Sequence, residues 1–270
     1  VCAYWDSPKE PMVGIQLAEL VIAAMNAGIY ALCNWTFSDF PDDFHPGLIN
    51  RWGTFKSASN GYATRDHYYA YGLLTKFFTG PSTVFAINSS NELIRAAALQ
   101  HHNGGTYSIA IVNRAEFDIP VNVIIKDKSL AAQFRKYVYN PEDVPQHPFG
   151  DLPPYVSRIA MKNGCFYDQV RAGSLTIYTT AYDDQPPAAV KNLKIKRTSE
   201  GKYYLCWQAN SEPDFCYYRV YRSDKADFTV SVANQIGSTI ATEFIDREAP
   251  LWGKYYYKVI AVDKSANVSR

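Results

Sequence analysis

The chain has 270 residues, which is enough for about two domains of ordinary size. A formal net charge of +1 argues against a nucleic acid or an anionic membrane surface as the partner, and no apolar run approaches the roughly 20 residues of a membrane span. Five scattered cysteines without a CxxC pair argue against a zinc site, so the sequence predicts neither a metal nor another cofactor.

The first predicted elements are a helix and a short strand. Apolar residues recur at helical spacing before Gly28, a residue type that commonly follows the end of a helix; they are Leu17, Leu20, Val21 and Ala24. Residues 29–33 are apolar on both faces, which is typical of a central strand in a parallel sheet. The side chains that follow such a strand lie at its carboxyl end, where parallel α/β folds bind ligands.

A loop and a second helix come next. The loop, residues 40–63, is rich in Pro, Asp, Gly and Trp. Thr64 is the predicted N-cap of the helix, and Gly80 and Pro81 end it. The predicted buried face of this helix consists of His67, Tyr71, Leu74 and Phe78. The order helix, strand, loop, helix predicts the last one and a half βα units of a (β/α)8 barrel, which as a whole takes about 250 residues.

Several strings in this region resemble the end of the barrel in glycoside hydrolase family 39, the family of β-xylosidases and α-L-iduronidase. The strings are Trp35-Thr36-Phe37-Ser38-Asp39, Gly47-Leu48, Lys56, Tyr68-Tyr69-Ala70-Tyr71-Gly72-Leu73-Leu74 and Gly80. The match covers roughly residues 12–80. The predicted modules that follow also have the order found in iduronidase-like members.

The resemblance implies a retaining glycosidase in which two carboxyl groups flank the scissile bond, about 5 Å apart. In that family the nucleophile is a glutamate that ends strand seven, and the acid/base glutamate lies on strand four. Glu10 lies too far along the first loop to match the nucleophile. Both catalytic glutamates are therefore expected upstream of Val1, in a missing N-terminal part of the barrel, and no catalytic residue is assigned within this chain.

Residues 81–184 predict an antiparallel β-sandwich. The segments with alternating or apolar patterns are 83–87, 94–100, 106–112, 121–125, 135–139 and 174–180. Asn103-Gly104-Gly105 is a strong signal for a hairpin turn. His101 and His102 beside this turn are interpreted as a solvated turn, because no further metal ligands accompany them.

Residues 185–270 follow a short proline-containing linker and resemble a fibronectin type III domain, an Ig-like β-sandwich. The predicted strands begin at 190–193 and continue with 204–207, 217–223 and 253–263, with 242–246 preceding the last of these. Trp207, Tyr218, Val220, Tyr257 and Val259 are predicted core residues rather than binding residues.

Five residues are candidates for carbohydrate binding. Trp35 is the strongest, because a flat indole can stack on the C–H face of a sugar ring, although it could instead fill the top of the barrel. Asp39 is interpreted as orienting a ligand or fixing the loop, with a turn-capping role as the alternative. Asn34 either donates a hydrogen bond to a sugar hydroxyl or ends the strand, and Trp5 and Asp6 are weaker loop candidates.

The sequence therefore predicts three domains: the last segment of a barrel at 1–80, a β-sandwich at 81–184 and a fibronectin type III domain at 185–270. The parent protein would be a secreted or periplasmic retaining glycoside hydrolase that cleaves O-glycosidic bonds of oligo- or polysaccharides. The alternative is a non-catalytic carbohydrate-binding or adhesion protein with a degenerate barrel, and a structural spacer is a third option. A strand-ending glutamate just upstream of Val1 would favour the enzyme.

Overall fold

The structure is a computed structural model, and it describes residues 11–34, 36–41, 47, 49–51, 53–126, 132–144, 146–250 and 252–270. The chain divides into two compact units, Val1–Ala181 and Tyr182–Arg270, which we call unit 1 and unit 2. Each unit has a hydrophobic core of its own, with that of unit 1 divided into two clusters.

Helix α1 (Val13–Asn26) begins unit 1 and ends as the sequence predicts. Gly28 has φ +75°, its N–H donates to the carbonyl of Met25 at 3.0 Å, and the N–H of Ile29 donates to the carbonyl of Ala24 at 2.9 Å. This pair of bonds is a Schellman motif, which satisfies carbonyls at the helix end and favours glycine at the left-handed position. The cap prediction at Gly28 is confirmed.

The predicted strand at residues 29–33 is wrong as an element of this structure. These residues belong to no strand, Ile29 is 52% exposed and Tyr30 is fully exposed. A strand that is apolar on both faces needs hydrogen-bonded neighbours at both edges and packing on both sides. The residues that the structure describes supply no strand that pairs with this segment, so its pattern is not satisfied within the described chain.

Helix α2 (Asp66–Phe77) begins one residue later than predicted, with Arg65 rather than Thr64 at the N-cap position. Its buried face is shifted from the predicted one and consists of His67, Tyr69, Ala70, Leu73, Leu74 and Phe77. Tyr71 and Phe78 are only half-buried. Within the described chain, neither α1 nor α2 is long and apolar enough to cross a membrane.

Ten strands of unit 1 can be described, numbered in chain order. They are β1 (Phe40–Pro41), β2 (Ile49–Asn50), β3 (Ser82–Phe85), β4 (Ile94–His101), β5 (Tyr107–Asn113), β6 (Ile119–Ile124), β7 (Ala132–Tyr139), β8 (Ser157–Met161), β9 (Cys165–Val170) and β10 (Leu175–Thr179). An antiparallel sheet in the order β3-β4-β5-β10-β7-β8 forms the centre of the unit. Strands β6 and β9 form a separate antiparallel pair, as do β1 and β2.

The central sheet is covered on both faces. Leu175 and Ile177 of β10 pack in one cluster with residues of α1 and α2, including Ile22 and Leu73. Tyr178 of the same strand belongs to the second cluster, which includes the inner face of the β6–β9 pair. Side chains alternate between the faces of a strand, so this arrangement explains why β10 is buried along its whole length.

All six strands predicted for the sandwich overlap observed strands, but β8 and β9 escape prediction. β8 is an edge strand with a mostly exposed sequence, and β9 alternates less regularly, with Tyr167 exposed and Phe166 buried. The two strands are joined by Asn163 and Gly164, both at positive φ. A missed turn of this kind explains why the pattern was not recognised as two strands.

Unit 2 contains six strands among its described residues, and they form two antiparallel three-stranded sheets. The strands are β11 (Lys194–Arg197), β12 (Tyr203–Cys206), β13 (Phe215–Ser223), β14 (Gln235–Thr239), β15 (Glu243–Asp246) and β16 (Tyr256–Asp263). The sheet orders are β11-β12-β15 and β14-β13-β16. The predicted core is confirmed, with Trp207, Tyr218, Val220 and Tyr257 buried and Val259 packed against them.

The first predicted strand of unit 2 is wrong in position. Residues 190–193 belong to no strand, and the first strand, β11, starts at Lys194. Asn192 has φ +58°, in the left-handed region, so the extended conformation cannot run through this residue. Strand β14 was not predicted from the sequence.

Candidate functional site

A buried ion pair fixes the chain just after residue 35. The carboxylate of Asp39 and the guanidinium of Arg65 are 2.6 Å apart, and their side chains are only 5% and 8% exposed. The second carboxylate oxygen of Asp39 accepts a hydrogen bond from the N–H of Gly53 at 3.0 Å. Both oxygens of Asp39 are thus engaged by the protein itself.

Backbone hydrogen bonds connect the same region into a small ladder. The N–H of Phe55 donates to the carbonyl of Phe37 at 2.9 Å, and the N–H of Asp39 donates to the carbonyl of Phe55 at 3.1 Å. Phe55 also forms an antiparallel bridge with Thr64. We call the three segments 36–39, 53–56 and 63–65, with the Asp39–Arg65 pair, the Asp39 lock.

The close approach inside the Asp39 lock requires glycine at position 53. A Cβ atom there would lie 2.3 Å from the backbone nitrogen of Asp39 and 2.4 Å from the carbonyl oxygen of Phe55. Both atoms belong to the backbone, so neither can rotate away. The glycine therefore lets the Gly53 N–H reach the Asp39 carboxylate.

Asn34 lies at the entrance to the lock and is half-buried. Its side-chain amide donates to the hydroxyl of Thr54 at 3.1 Å, and that hydroxyl lies 3.4 Å from the carbonyl of Thr36. These contacts tie Asn34 to the ladder, but they do not make it the end of a strand, since residues 29–33 form none. They also place its amide at the junction between the exposed segment and the Asp39 lock.

Of the five predicted binding residues, two lie in the described chain. Asn34 and Asp39 are brought together through Thr54 and Gly53 of the same ladder. Trp35, Trp5 and Asp6 lie outside the described residues. The contacts of Asp39 agree with its loop-fixing role, while a role in substrate binding stays a prediction for all five.

Sequence reasoning missed Arg65 and Gly53. A cation at the N-terminus of a helix is electrostatically unfavourable, and Arg65 precedes Asp66, the first residue of α2. An arginine in that position is a signal for a specific carboxylate partner, which the structure identifies as Asp39. The sequence gives no comparable signal for Gly53, because its contact is with residues 14 positions away.

Three carboxylates also meet in unit 2. Oxygen atoms of Asp183, Asp214 and Asp263 lie within 4.8 Å of one another. Desolvation raises the pKa of Asp214, and the adjacent Asp183 and Asp263 raise it further. Asn267 donates side-chain hydrogen bonds to Asp183 and Asp263, so the cluster has internal donors of its own.

Neither of two clefts formed by described residues contains a pair of carboxylates. One, of about 700 Å³, lies in unit 2 and includes Asp227 and Phe228. The other, of about 400 Å³, lies in unit 1 between the end of α1 and the edge strand β3. Retaining glycoside hydrolysis needs two carboxyl groups about 5 Å apart, so these clefts do not provide that chemistry.

No protein-family model matches the sequence, and no curated protein sequence matches it. A glycoside hydrolase family 30 subfamily 8 xylanase, Xyn30A from Clostridium acetobutylicum, aligns with 65% of this chain and 40% of its own chain, at 16% identity and TM-score 0.50. A bacterial orthologue of human α-L-iduronidase aligns with 99% of this chain and 55% of its own, at 14% identity and TM-score 0.49. A GH51 α-L-arabinofuranosidase from Thermotoga petrophila aligns with 65% and 39%, at 15% identity and TM-score 0.44.

At such identities the likeness concerns the fold alone. The chain spans about two fifths of the length of the xylanase. The comparison shows a glycoside-hydrolase-like fold over part of this chain, and it does not single out family 39.

Proposed function

We propose that this chain is the C-terminal part of a retaining glycoside hydrolase of the family 39 type, which acts on O-glycosidic bonds of oligo- or polysaccharides. Both catalytic glutamates belong to a preceding portion of the barrel. This chain contributes one side of the sugar site and the scaffold beneath it. The protein uses no cofactor and works in a secreted or periplasmic setting.

One observation carries the proposal: an exposed apolar segment is followed, one residue later in the sequence, by the Asp39 lock. Ile29 and Tyr30 are exposed although their sequence pattern is that of a buried strand. Leu20 on the outer side of α1 is also 54% exposed, while Ile22 is buried against the central sheet. A helix and a following segment with apolar residues on the outer side are suited to packing against further barrel strands.

The proposed roles of the site residues follow from this arrangement. Trp35 stacks on the sugar ring, between Asn34 and the lock that begins at residue 36. Asp39 orients the sugar site indirectly, by fixing the loop through Arg65 and the N–H of Gly53. Asn34, Trp5 and Asp6 contribute polar and aromatic contacts at the rim.

The proposed layout has three domains, at 1–80, 81–184 and 185–270. The assignment of the last as a fibronectin type III domain is supported by two three-stranded antiparallel sheets with Trp207 and Tyr218 in the core between them. In this layout the first two domains share one compact unit, because α1 and α2 pack on the central sheet.

The test begins with the mass of the native polypeptide, which should be well above 30.4 kDa. That polypeptide is then assayed on a panel of nitrophenyl glycosides, and the first-formed product is examined by NMR. Hydrolysis with retention of the anomeric configuration is expected. A native mass of 30.4 kDa, or no hydrolysis of any glycoside in the panel, would contradict the proposal and favour the non-catalytic carbohydrate-binding protein.

A further inference from the structure

An almost completely exposed tryptophan lies on the loop between β15 and β16 of unit 2. Trp252 is 89% exposed. Its own carbonyl accepts a hydrogen bond from the hydroxyl of Tyr255 at 3.4 Å, and the next carbonyl, of Gly253, accepts one from the hydroxyl of Tyr203 at 3.3 Å. Two tyrosines therefore fix the backbone on which the indole is presented.

The conformation of this loop depends on glycine. Gly253 has φ +145°, and a Cβ atom there would lie 2.8 Å from the hydroxyl oxygen of Tyr255. The chain before it is anchored by Asp246 and Ala249, which are 2% and 4% exposed. The described residues before and after Trp252 are thus held by contacts with the rest of unit 2.

Hydrogen bonds and ring packing also hold the residues that contact this loop. Asp246 accepts two hydrogen bonds from one guanidinium nitrogen of Arg222, at 2.9 and 2.8 Å, and one from the hydroxyl of Tyr257 at 2.9 Å. The rings of Tyr203 and Tyr255 pack edge to face with centroids 6.0 Å apart. The packing positions Tyr203 and Tyr255, whose hydroxyls donate to the carbonyls of the loop.

The loop that carries Trp252 also carries charged side chains. Arg247, Glu248 and Lys254 are all exposed on the same loop. The buried centre of a protein–protein interface is depleted of charged residues, so this setting does not suit such a centre. A flat aromatic ring with exposed cationic donors on the same loop suits a sugar, whose C–H face is apolar and whose edge carries hydroxyl or carboxylate groups.

We propose that unit 2 contains a carbohydrate-binding site in which Trp252 stacks on a pyranose ring and Arg247 and Lys254 donate hydrogen bonds to its edge. The site is distinct from the residues around Asn34 and Asp39. It does not depend on the glycosidase proposal, because binding at Trp252 requires no catalytic group.

The test is native affinity electrophoresis of the full chain in gels that contain a soluble polysaccharide. Xylan and galactomannan serve as neutral probes, and polygalacturonate serves as an acidic probe. At least one polymer is expected to retard the chain, and Trp252→Ala should weaken the apparent affinity at least about tenfold because the stacked apolar area is lost. Trp252→Phe should retain part of it.

The matched control is Ile240→Ala, which removes an apolar side chain that is 81% exposed elsewhere on unit 2. This variant should be retarded like the wild type. Retardation of the wild type by none of the three polymers would overturn the proposal, as would retardation that Trp252→Ala retains in full. The glycosidase test measures bond cleavage in the native polypeptide, so its failure would leave this result unaffected.

Discussion

The segments 29–34 and 36–39 are separated by one residue, yet the first exposes apolar side chains and the second buries a charged one. The first is largely apolar and exposed, with Tyr30 fully accessible. The second contains Asp39, a charged residue that is nevertheless buried beside Arg65. Hydrophobicity alone would predict the reverse, so the difference must come from which partners are present.

The contrast teaches that the two kinds of residue need different partners. A buried carboxylate needs a cation and hydrogen-bond donors, and one arginine and one backbone N–H from nearby segments supply them for Asp39. A two-faced apolar strand needs whole neighbouring strands and a layer on each side. Two short segments of the same unit, 53–56 and 63–65, satisfy the first requirement, whereas the second needs several complete strands.

The largest expected effect comes from breaking the Asp39 lock. Asp39→Ala leaves the guanidinium of Arg65 buried without its carboxylate, which should lower the free energy of unfolding of unit 1 by about 3–5 kcal/mol. Urea denaturation of the full chain measures the change. Hydrogen exchange should also accelerate at the amides of Phe55 and Arg65, which belong to the same ladder.

Asp143→Ala is the control, because it removes an exposed carboxylate from the same unit and should change stability by less than about 0.5 kcal/mol. Arg65→Ala and the Asp39→Ala/Arg65→Ala double variant complete the cycle. If the double variant costs as much as the sum of the single variants, the pair is not coupled and the description of the lock is incorrect.

A smaller effect is expected from Gly53→Ala. The added methyl group meets backbone atoms of Asp39 and Phe55 at 2.3–2.4 Å, so the segments must move apart at a cost of about 1–3 kcal/mol. Urea denaturation again provides the measurement. An unchanged midpoint would show that the two segments do not pack this closely in solution.

A third prediction contrasts the paired Asp39 with the crowded Asp214 of unit 2. Desolvation and the neighbouring carboxylates raise the pKa of Asp214 above its ordinary value of 3.8, so folding favours its protonated form. Its contribution to the stability of unit 2 is therefore lost as the pH rises through 3.8 and the raised folded-state value, and it stays lost above them.

Asp214→Asn should consequently raise the melting temperature of unit 2 modestly at pH 7. The gain should shrink as the pH falls through the raised folded-state pKa towards 3.8, and it should be absent well below 3.8, where the carboxyl group is protonated in both states. Calorimetric scans of wild type and variant at the two ends of this range measure the difference. A lower melting temperature for the variant at pH 7 would contradict the unfavourable crowding of this carboxylate.

The smallest effect is expected in the exposed segment itself. Tyr30→Ser removes a fully exposed ring and should change the stability of the 270-residue chain by less than about 0.5 kcal/mol. In the proposed complete barrel the same ring would face neighbouring elements, and the substitution should then reduce stability clearly. A large loss in the 270-residue chain would mean that Tyr30 already packs against it.

Features that depend on neighbouring residues were predicted from the sequence, and features that depend on distant contacts were not. The cap at Gly28 and the hairpin at Gly104 depend on positive φ angles, which the glycines in the sequence indicate directly. The strand at 29–33 was predicted from a sound pattern whose partners the described chain does not contain. Arg65 was missed because its carboxylate lies 26 residues away, and no periodicity links such a pair.

The shared packing of α1, α2 and the central sheet also bears on how such proteins evolve. Tyr69 and Leu73 of α2 bury their side chains together with Tyr139 and Leu175 of the sheet. A recombination event between residues 80 and 81 would expose both halves of this core, and the products would be selected against. Natural shuffling of modules would instead be tolerated near residue 181, where one compact unit gives way to the next.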